Sequence, residues 1–323
     1  MQIQVLTTDQ FSNSQLESFS NNFNKVFKKD FNVDHFKRKY RSNFLKKSFH
    51  SIYTDENAEI FGSINVIPFK YNFFDKKIVI GLVVDVFIAE DKREDPLALY
   101  KMYTKLKPFL KANSIVSIVA IPNELIYKYW KQVVRWKDIG ILKTWIIPKE
   151  LGNVLSQNRF RSLLNFVSRI NYKLLLLLNV LTSYICNAKV KQSTIRLIKD
   201  ENFENFRYQS NHIIENNDCS FRYSINKEES YTVAYLIDFF NKDGNRDLRS
   251  LLRATKRMMK EKIDAIVYVG SLKMLQAIFI KIPENKLPRK LYLMGDIIDE
   301  NKIDDRFFNF SNWDFGLMNF DVR

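Results

Sequence analysis

One stretch of the sequence, residues 76–137, constrains the fold more than any other because strands and helices alternate in it. Its parts are an apolar strand, a charged turn, a helix, a second apolar strand and an aromatic helix, at Ile78–Ala89, Asp91–Asp95, Pro96–Lys111, Ile115–Ile121 and from Pro122-Asn123-Glu124 onward. A turn that leads into a helix directs free backbone N–H groups and the positive end of the helix dipole at one spot. The pattern therefore predicts an anion site suited to a pyrophosphate at this turn.

The length of the chain predicts two domains. It has 323 residues, whereas one ordinary domain has roughly 100 to 200. A hydrophobic content of 46% with only 8 Gly and 7 Pro indicates a globular chain. We expect a first domain at 1–150, a basic and apolar helical linker at 151–195 and a second domain at 196–323.

Cysteine and histidine usage gives no sign of a metal or a disulfide. Cys186 and Cys219 have neither disulfide nor metal-ligand spacing, and the three histidines, His35, His50 and His212, are scattered. The first eleven residues lack the basic-then-apolar pattern of a secretion signal. The sequence therefore predicts a cytoplasmic protein in a reducing compartment, without a metal.

The net charge of +15 is concentrated in the middle of the chain. Residues 151–199 contain eight basic residues and no Asp or Glu. The uncharged run Leu174–Ala188 falls short of the roughly 20 residues that span a bilayer. The helix predicted at 160–187 is either a core helix between two domains or a basic amphipathic helix on the inner face of an anionic membrane. A nucleic-acid partner is disfavoured, because basic and aromatic residues interleave only briefly, at Lys37–Tyr40.

The second half of the sequence repeats the order of the first. An apolar strand, a turn with a helix and a further strand follow one another at Glu229–Asn241, Gly244–Lys262 and Ala265–Gly270. Asp85 and Asp238 fall at matching places in the two halves. We expect an α+β protein of two similar modules, each a mixed, mostly antiparallel twisted sheet flanked by helices.

Several motifs carry a resemblance to a known family. A hairpin precedes the turn, Arg93–Ala98 stands where the family has Arg/Gln-x-x-Gly-x-Gly/Ala, Pro122-Asn123 follows the next strand, and Trp136–Gly140 stands at the start of the last strand. The region Ile60–Trp145 thus resembles the GNAT acyltransferases, and more narrowly the tandem branch found beside bacterial surface-polysaccharide genes. The basic and aromatic segment His35–Tyr40 is also similar to one in that branch.

The resemblance implies an acyl-CoA site. Backbone groups of Phe87 and Ile88 would pair with the pantetheine arm, and the turn would hold the pyrophosphate through Arg93, Glu94, Asp95, Pro96, Leu97 and Ala98. The turn departs from the family at Pro96, which replaces a glycine and has no N–H. The carboxylates of Glu94 and Asp95 should also repel a pyrophosphate.

Acyl transfer needs a base for the acceptor and an acid for the leaving thiolate. Asp85 is the candidate base; alternatively, it is an Asp at a splayed strand edge that backbone amides satisfy. The resemblance implies a Tyr seven residues after Asn123, where this chain has Trp130. Tyr127 or Tyr129 could replace that acid, and the alternative for all three rings is packing against the sheet. Asn123 is expected to cap its helix and, by resemblance, to order the cofactor site.

Three hypotheses for function follow. The first is an acyltransferase that moves an acyl group from CoA to an amine or hydroxyl on a nucleotide-linked or lipid-linked sugar during surface-polysaccharide synthesis. The second is an aminoacyl-tRNA-dependent transferase of the FemABX type. The third is a non-catalytic GNAT-shaped binding or scaffold protein at the membrane surface, which the departures at Pro96 and Trp130 favour.

Overall fold

The computed structural model describes residues 2–155, 159–185, 194–207, 212–215, 219–228, 231–242, 244, 246–271, 279–287 and 289–320. The ends of the predicted linker helix and of the predicted second-half strand, at 186–187 and 229–230, lie outside these residues. The chain forms two compact units that are discontinuous in sequence. The first consists of Met1–Ile141, Ser193–Arg207 and Arg289–Trp313, and the second of Leu142–Gln192, Tyr208–Pro288 and Asp314–Arg323.

The described residues contain fifteen strands and eight α-helices. The strands are Gln2–Thr7 (β1), Phe49–Thr54 (β2), Ile60–Phe73 (β3), Lys76–Ile88 (β4), Ser117–Ala120 (β5), Lys137–Ile141 (β6), Thr144–Pro148 (β7), Ile195–Leu197 (β8), His212–Glu215 (β9), Cys219–Lys227 (β10), Thr232–Asn241 (β11), Ala265–Val269 (β12), Ile280–Lys281 (β13), Tyr292–Ile297 (β14) and Trp313–Asp314 (β15). The helices are Asn13–Phe27 (α1), Val33–Arg41 (α2), Ala98–Ala112 (α3), Glu124–Tyr129 (α4), Leu151–Val154 (α5), Arg161–Ile185 (α6), Glu201–Arg207 (α7) and Leu248–Met258 (α8).

The first sheet has the strand order β1-β2-β3-β4-β5-β14-β6, and β8 also pairs with β3. All of these pairs are antiparallel except β4 with β5. Helix α3 packs on this sheet because its apolar residues recur at helical spacing, at Leu99, Met102, Tyr103, Leu106 and Leu110. The resulting core holds the strand-turn-helix stretch in one unit.

The second sheet has the order β13-β7-β12-β11-β10-β9, and its one parallel pair among the described strands is β11 with β12. Helix α8 buries Leu251 and Met258 against Phe239 and Tyr268. The structure thus confirms the predicted α+β class, with two mixed, mostly antiparallel sheets flanked by helices.

Two strands join a sheet that the order of the sequence does not suggest. Strand β14, from the last part of the chain, lies between β5 and β6 in the first sheet. Strand β7 falls inside the predicted first domain but pairs with β12 and β13 in the second sheet. The three-part division at 150 and 195 stays a prediction about domains, whereas the compact units cross these limits.

Candidate functional site

The parallel pair of the first sheet covers only part of β4. Strands β4 and β5 pair at Ile80 with Ser117, Gly81 with Ile118 and Leu82 with Val119, and the pairing stops at this point, the splay. A side chain at position 81 would be crowded from both sides, because a Cβ there would lie 2.4 Å from Val66 Cγ1 of β3 and 3.1 Å from Ile118 Cγ2 of β5. Strand β4 continues six residues beyond Leu82, to Ile88, and so leaves backbone groups on the β5 side past the point of pairing.

A β-bulge in β4 lies just beyond this splay. Ser63 of β3 faces Phe87 and Asn65 faces Val84, so β4 carries one extra residue between them. Asp85 lies in the bulge with φ of +50°, in the left-handed region that Asp tolerates better than most residues. The bulge redirects the Asp85 carboxylate out of the alternation of the strand.

Two side chains of α2 hold this carboxylate. Lys39 Nζ lies 2.8 Å from Asp85 Oδ2, and the Tyr40 hydroxyl donates to the same oxygen at 2.8 Å. The Lys39 and Asp85 side chains are 5% and 11% exposed. The alternative that backbone amides satisfy Asp85 is therefore wrong, because a lysine and a tyrosine hold its carboxylate.

A buried chain of polar groups supports the bulge from behind. Asn65 Nδ2 donates to the Asp85 carbonyl at 2.9 Å, which leaves Asn65 Oδ1 to accept from His50 Nδ1 at 2.7 Å. His50 Nε2 then accepts from the Thr8 hydroxyl at 2.9 Å. Burial lowers the pKa of His50 from 6.5 to about 4, so the ring is neutral at physiological pH.

The turn after β4 is occupied by a carboxylate of the chain itself. Asp95 Oδ1 accepts from the Leu97 amide at 2.9 Å, and Oδ2 binds Lys101 Nζ at 2.7 Å. The backbone carbonyl of Asp95 also accepts a hydrogen bond from the Ala98 amide, at 3.1 Å. The helix begins at Ala98, so the expectation that Pro96 opens it is wrong by two residues.

Tyr129 completes this cluster from α4. Its hydroxyl donates to the Pro96 carbonyl at 2.7 Å and accepts from the Tyr100 amide at 3.3 Å. Burial raises the pKa of Tyr129, and the nearby charge of Asp95 adds to this rise. Tyr129 thus ties α4 to the first turn of α3.

The residues fit the two ends of an acyl-CoA differently. The splay beyond Leu82 suits an extended arm, and the apolar side of β4 there is well anchored, since Phe87 packs on Phe19 and Phe23. At the turn, the amides of Leu97, Ala98 and Tyr100 already have acceptors within the chain. A pyrophosphate at this turn would have to displace Asp95 from the Leu97 amide.

The start of α4 follows the prediction, and its aromatic residues follow the alternative of packing in the core of the first unit. Asn123 Oδ1 accepts from the Ile126 amide at 2.9 Å, which confirms the helix cap. Trp130 is 1% exposed and stacks on Trp136, with ring centroids 4.4 Å apart, at the start of a π-helical stretch, Trp130–Val134. Tyr127 stacks on Tyr292 at 3.9 Å and bonds to Lys131.

Five of the predicted site residues thus fall into two groups. Asp95, Pro96, Leu97 and Tyr129 come together at the turn, whereas Asp85 belongs to a separate cluster with Lys39 and Tyr40. Sequence reasoning did not give roles to Lys39, Tyr40, His50 and Asn65. The one available signal was the basic and aromatic segment His35–Tyr40, whose pairing with a strand 45 residues away no local pattern reveals.

The second unit repeats the splay and the bulge. Strands β11 and β12 pair in parallel over three residues, and β11 has an extra residue before Asp238 where it faces β10. Asp238 is fully buried and lies 3.0 Å from Arg246 Nη2. Arg246 also binds the Asp314 carboxylate and donates to the Tyr268 hydroxyl at 3.2 Å. Here the carboxylate beside the bulge is paired with an arginine.

Among the described ranges, no group of three or more His, Cys, Asp or Glu side chains is placed to hold a metal ion. Within the same ranges, no helix combines the length and the apolarity that a bilayer crossing needs.

No protein-family model and no curated protein matches this chain. Among solved structures, a GCN5-related N-acetyltransferase from Anabaena variabilis is similar with a TM-score of 0.56 at 11% identity, over 92% of this chain and 73% of that one. One from Kribbella flavida is similar with a TM-score of 0.57 at 9% identity, over 92% and 72%. Saccharomyces cerevisiae N-myristoyltransferase with bound myristoyl-CoA is similar with a TM-score of 0.52 at 10% identity, over 91% and 82%. The chain therefore has the fold of the GCN5-related N-acetyltransferases.

Proposed function

We propose that this protein is an acyltransferase that moves an acyl group from a CoA thioester to an amine or hydroxyl. The observation that carries the proposal is the splay of β4 and β5, with the bulge carboxylate Asp85 just beyond it, in a fold of this kind. Similar structures named as N-acetyltransferases, and one that holds myristoyl-CoA, support the choice of donor.

In this proposal the donor lies along β4, on backbone groups of Phe87 and Ile88. Its pyrophosphate takes the turn formed by Arg93, Glu94, Asp95, Pro96, Leu97 and Ala98. The donor supplies the activated acyl group. Because Asp95 holds the Leu97 amide at 2.9 Å, donor binding competes with this internal cap. Tyr129, which contacts the Pro96 carbonyl, orders the same turn.

Asp85 is the proposed base that takes the proton of the acceptor. Lys39 and Tyr40 orient its carboxylate, and the chain of Asn65 and His50 fixes the backbone behind it. Tyr127 and Tyr129 stay the proposed acids for the thiolate, and Asn123 positions α4 through its cap. The proposed acceptor is an amino or hydroxyl group of a nucleotide-linked or lipid-linked sugar.

The test is release of free CoA thiol from acetyl-CoA and longer acyl-CoA thioesters, with a panel of nucleotide-linked amino sugars and mass analysis of the acceptor. Asp85→Asn should lower turnover by 100-fold or more, as loss of a general base does. Asp238→Asn is the control, because Asp238 lies beside the bulge of the second unit, away from the proposed donor site. Equal turnover of wild type and Asp85→Asn would overturn the role of Asp85, and an acceptor that gains no acyl mass would overturn the proposal.

A second candidate, a non-catalytic binding protein, is favoured by the occupied turn. Asp95 caps the Leu97 amide, and Pro96 contributes no N–H. Wild-type protein that binds no acyl-CoA, together with a Pro96→Gly variant that does, would favour this candidate. An aminoacyl-tRNA-dependent transferase would instead show tRNA binding that weakens steeply with salt.

A further inference from the structure

Helix α6 of the second unit has two opposite faces. Its inner face is anchored: Tyr172 and Leu176 pack on the second core, and the Ser168 hydroxyl donates to the Lys149 carbonyl at 2.9 Å. Asn165 Oδ1 also accepts from the Gly152 amide at 2.7 Å. The orientation of the helix is therefore set by the unit on which it lies.

The outer face of α6 is apolar and exposed. Eight large side chains are 42% to 61% exposed, namely Leu163, Phe166, Val167, Ile170, Leu174, Leu177, Leu178 and Leu181. At about 100° per residue they fall within a sector of about 120°, centred opposite the inner face. A helix normally buries its apolar sector and exposes its polar one, so this arrangement indicates a surface that contacts something apolar.

The charge around this face identifies the occupant. Helix α6 contains three basic residues, Arg161, Arg169 and Lys173, and no acidic residue. On or just before α6, Arg159, Arg161, Arg169 and Lys173 are all exposed. Arg169 is held by Glu150, its Nε lying 2.7 Å from Oε1. At about 100° per residue Lys173 falls beside the apolar sector, whereas Arg161 falls on the inner side and donates to Asn153 Oδ1 at 2.8 Å. A basic helix with an exposed apolar sector complements the acyl boundary and the phosphates of an anionic bilayer.

We propose that the outer face of α6, the eight residues named above, docks the protein on an anionic membrane surface. With 25 residues, α6 is about 37 Å long, so it lies along the interface and presents the whole apolar sector to it. This inference does not depend on acyl transfer, although it would bring the chain to a lipid-linked acceptor.

The test is co-sedimentation of the full chain with vesicles of phosphatidylcholine alone and with 30% phosphatidylserine, at low and at physiological salt. Wild type should bind the anionic vesicles at least tenfold more tightly than the neutral ones. The triple variant Phe166→Ser, Ile170→Ser, Leu174→Ser should have an affinity for the anionic vesicles at least tenfold lower than that of wild type. Leu125→Ser is the matched control, because Leu125 is 76% exposed on α4 and should bind like wild type.

Light scattering of the protein without vesicles tests whether a second copy of this chain occupies the outer face instead. A wild-type dimer that ignores vesicles, and that the triple variant converts to a monomer, would overturn the proposal and make the outer face a contact between two copies. Vesicle binding that the triple variant retains, or a monomer that binds no vesicles, would also overturn it.

Far-ultraviolet circular dichroism of each variant shows whether it is folded. The variant Lys173→Gln, which leaves the apolar face intact, provides a second test. The affinity of that variant for anionic vesicles should fall severalfold, and its affinity for neutral vesicles should not change.

Discussion

Lys39 and Asp85 form an almost buried ion pair, 2.8 Å long, at the bulge of β4. Lys39→Met should destabilise the fold by about 3 to 5 kcal/mol, because it leaves a buried carboxylate without its cation. Urea unfolding measures this change. Arg41→Met is the control on the same helix: its pair with Asp9 is half exposed, so the loss should stay below about 1 kcal/mol.

Adding Asp85→Asn to Lys39→Met should recover part of the loss, since the double variant no longer buries an unpaired charge. A double variant as unstable as the sum of the two single variants would show that the pair contributes no coupling.

In the second unit, Arg246 neutralises two carboxylates, Asp238 and Asp314. Arg246→Met should cost about 3 to 5 kcal/mol, because Asp238 is fully buried and would lose its cation. Arg257→Met, which breaks an exposed pair with Glu261 near the end of α8, should cost less than about 0.5 kcal/mol. Similar losses in the two variants, by chemical unfolding, would contradict this account of the cluster.

Stability should fall on mild acidification because of His50. Its pKa is about 4 in the fold, against 6.5 for an unburied ring. Above pH 6.5 the ring is neutral in both states and the pH has no effect through this group. Between 6.5 and 4 the unfolded chain takes up a proton that the folded chain does not, so stability drops by roughly 3 kcal/mol over the interval.

Unfolding midpoints at pH 7, 6 and 5 measure this slope. His50→Asn keeps a donor toward Asn65 and cannot titrate, so its slope between pH 6.5 and 5 should be smaller than that of wild type by about 1 kcal/mol per pH unit. Parallel curves for the two proteins would show that His50 takes up its proton equally in both states.

Restoring the tyrosine that the resemblance implies should harm the protein. Trp130 is buried and stacked on Trp136, so Trp130→Tyr opens a cavity and places a hydroxyl in the core. We expect a loss of about 1 to 3 kcal/mol in thermal or urea unfolding and no gain in thiol release from acetyl-CoA. A stable variant with raised turnover would instead place the ring in the site.

Much of the first unit could be predicted from the sequence because its signals are local. The alternation of strand and helix gave β4, α3 and β5, and Asn123 marked the start of α4. Asp85 and Asp238 fall at matching places in the sequence, and each lies in a strand that belongs to the parallel pair of its sheet. These features depend on residues that lie close together in the chain.

The remainder depends on contacts between distant residues. Strand β7 joins the second sheet and β14 joins the first. The hydrophobic pattern does not predict this, since either strand would suit either sheet. The contact of Lys39 with Asp85 joins residues 46 positions apart. The cap that Asp95 places on the Leu97 amide depends on one side-chain orientation, whereas the sequence suggested only repulsion.

Calorimetric titration with acetyl-CoA tests the central claim, that the first unit holds an acyl-CoA whose pyrophosphate competes with Asp95 for the turn. Asp95→Ala should bind about tenfold more tightly than wild type, because it frees the Leu97 amide and removes one negative charge. Glu94→Ala, which removes a charge from the same turn, should change the affinity less. If neither wild type nor Asp95→Ala binds acetyl-CoA, or if the two bind equally, the account of this site is wrong.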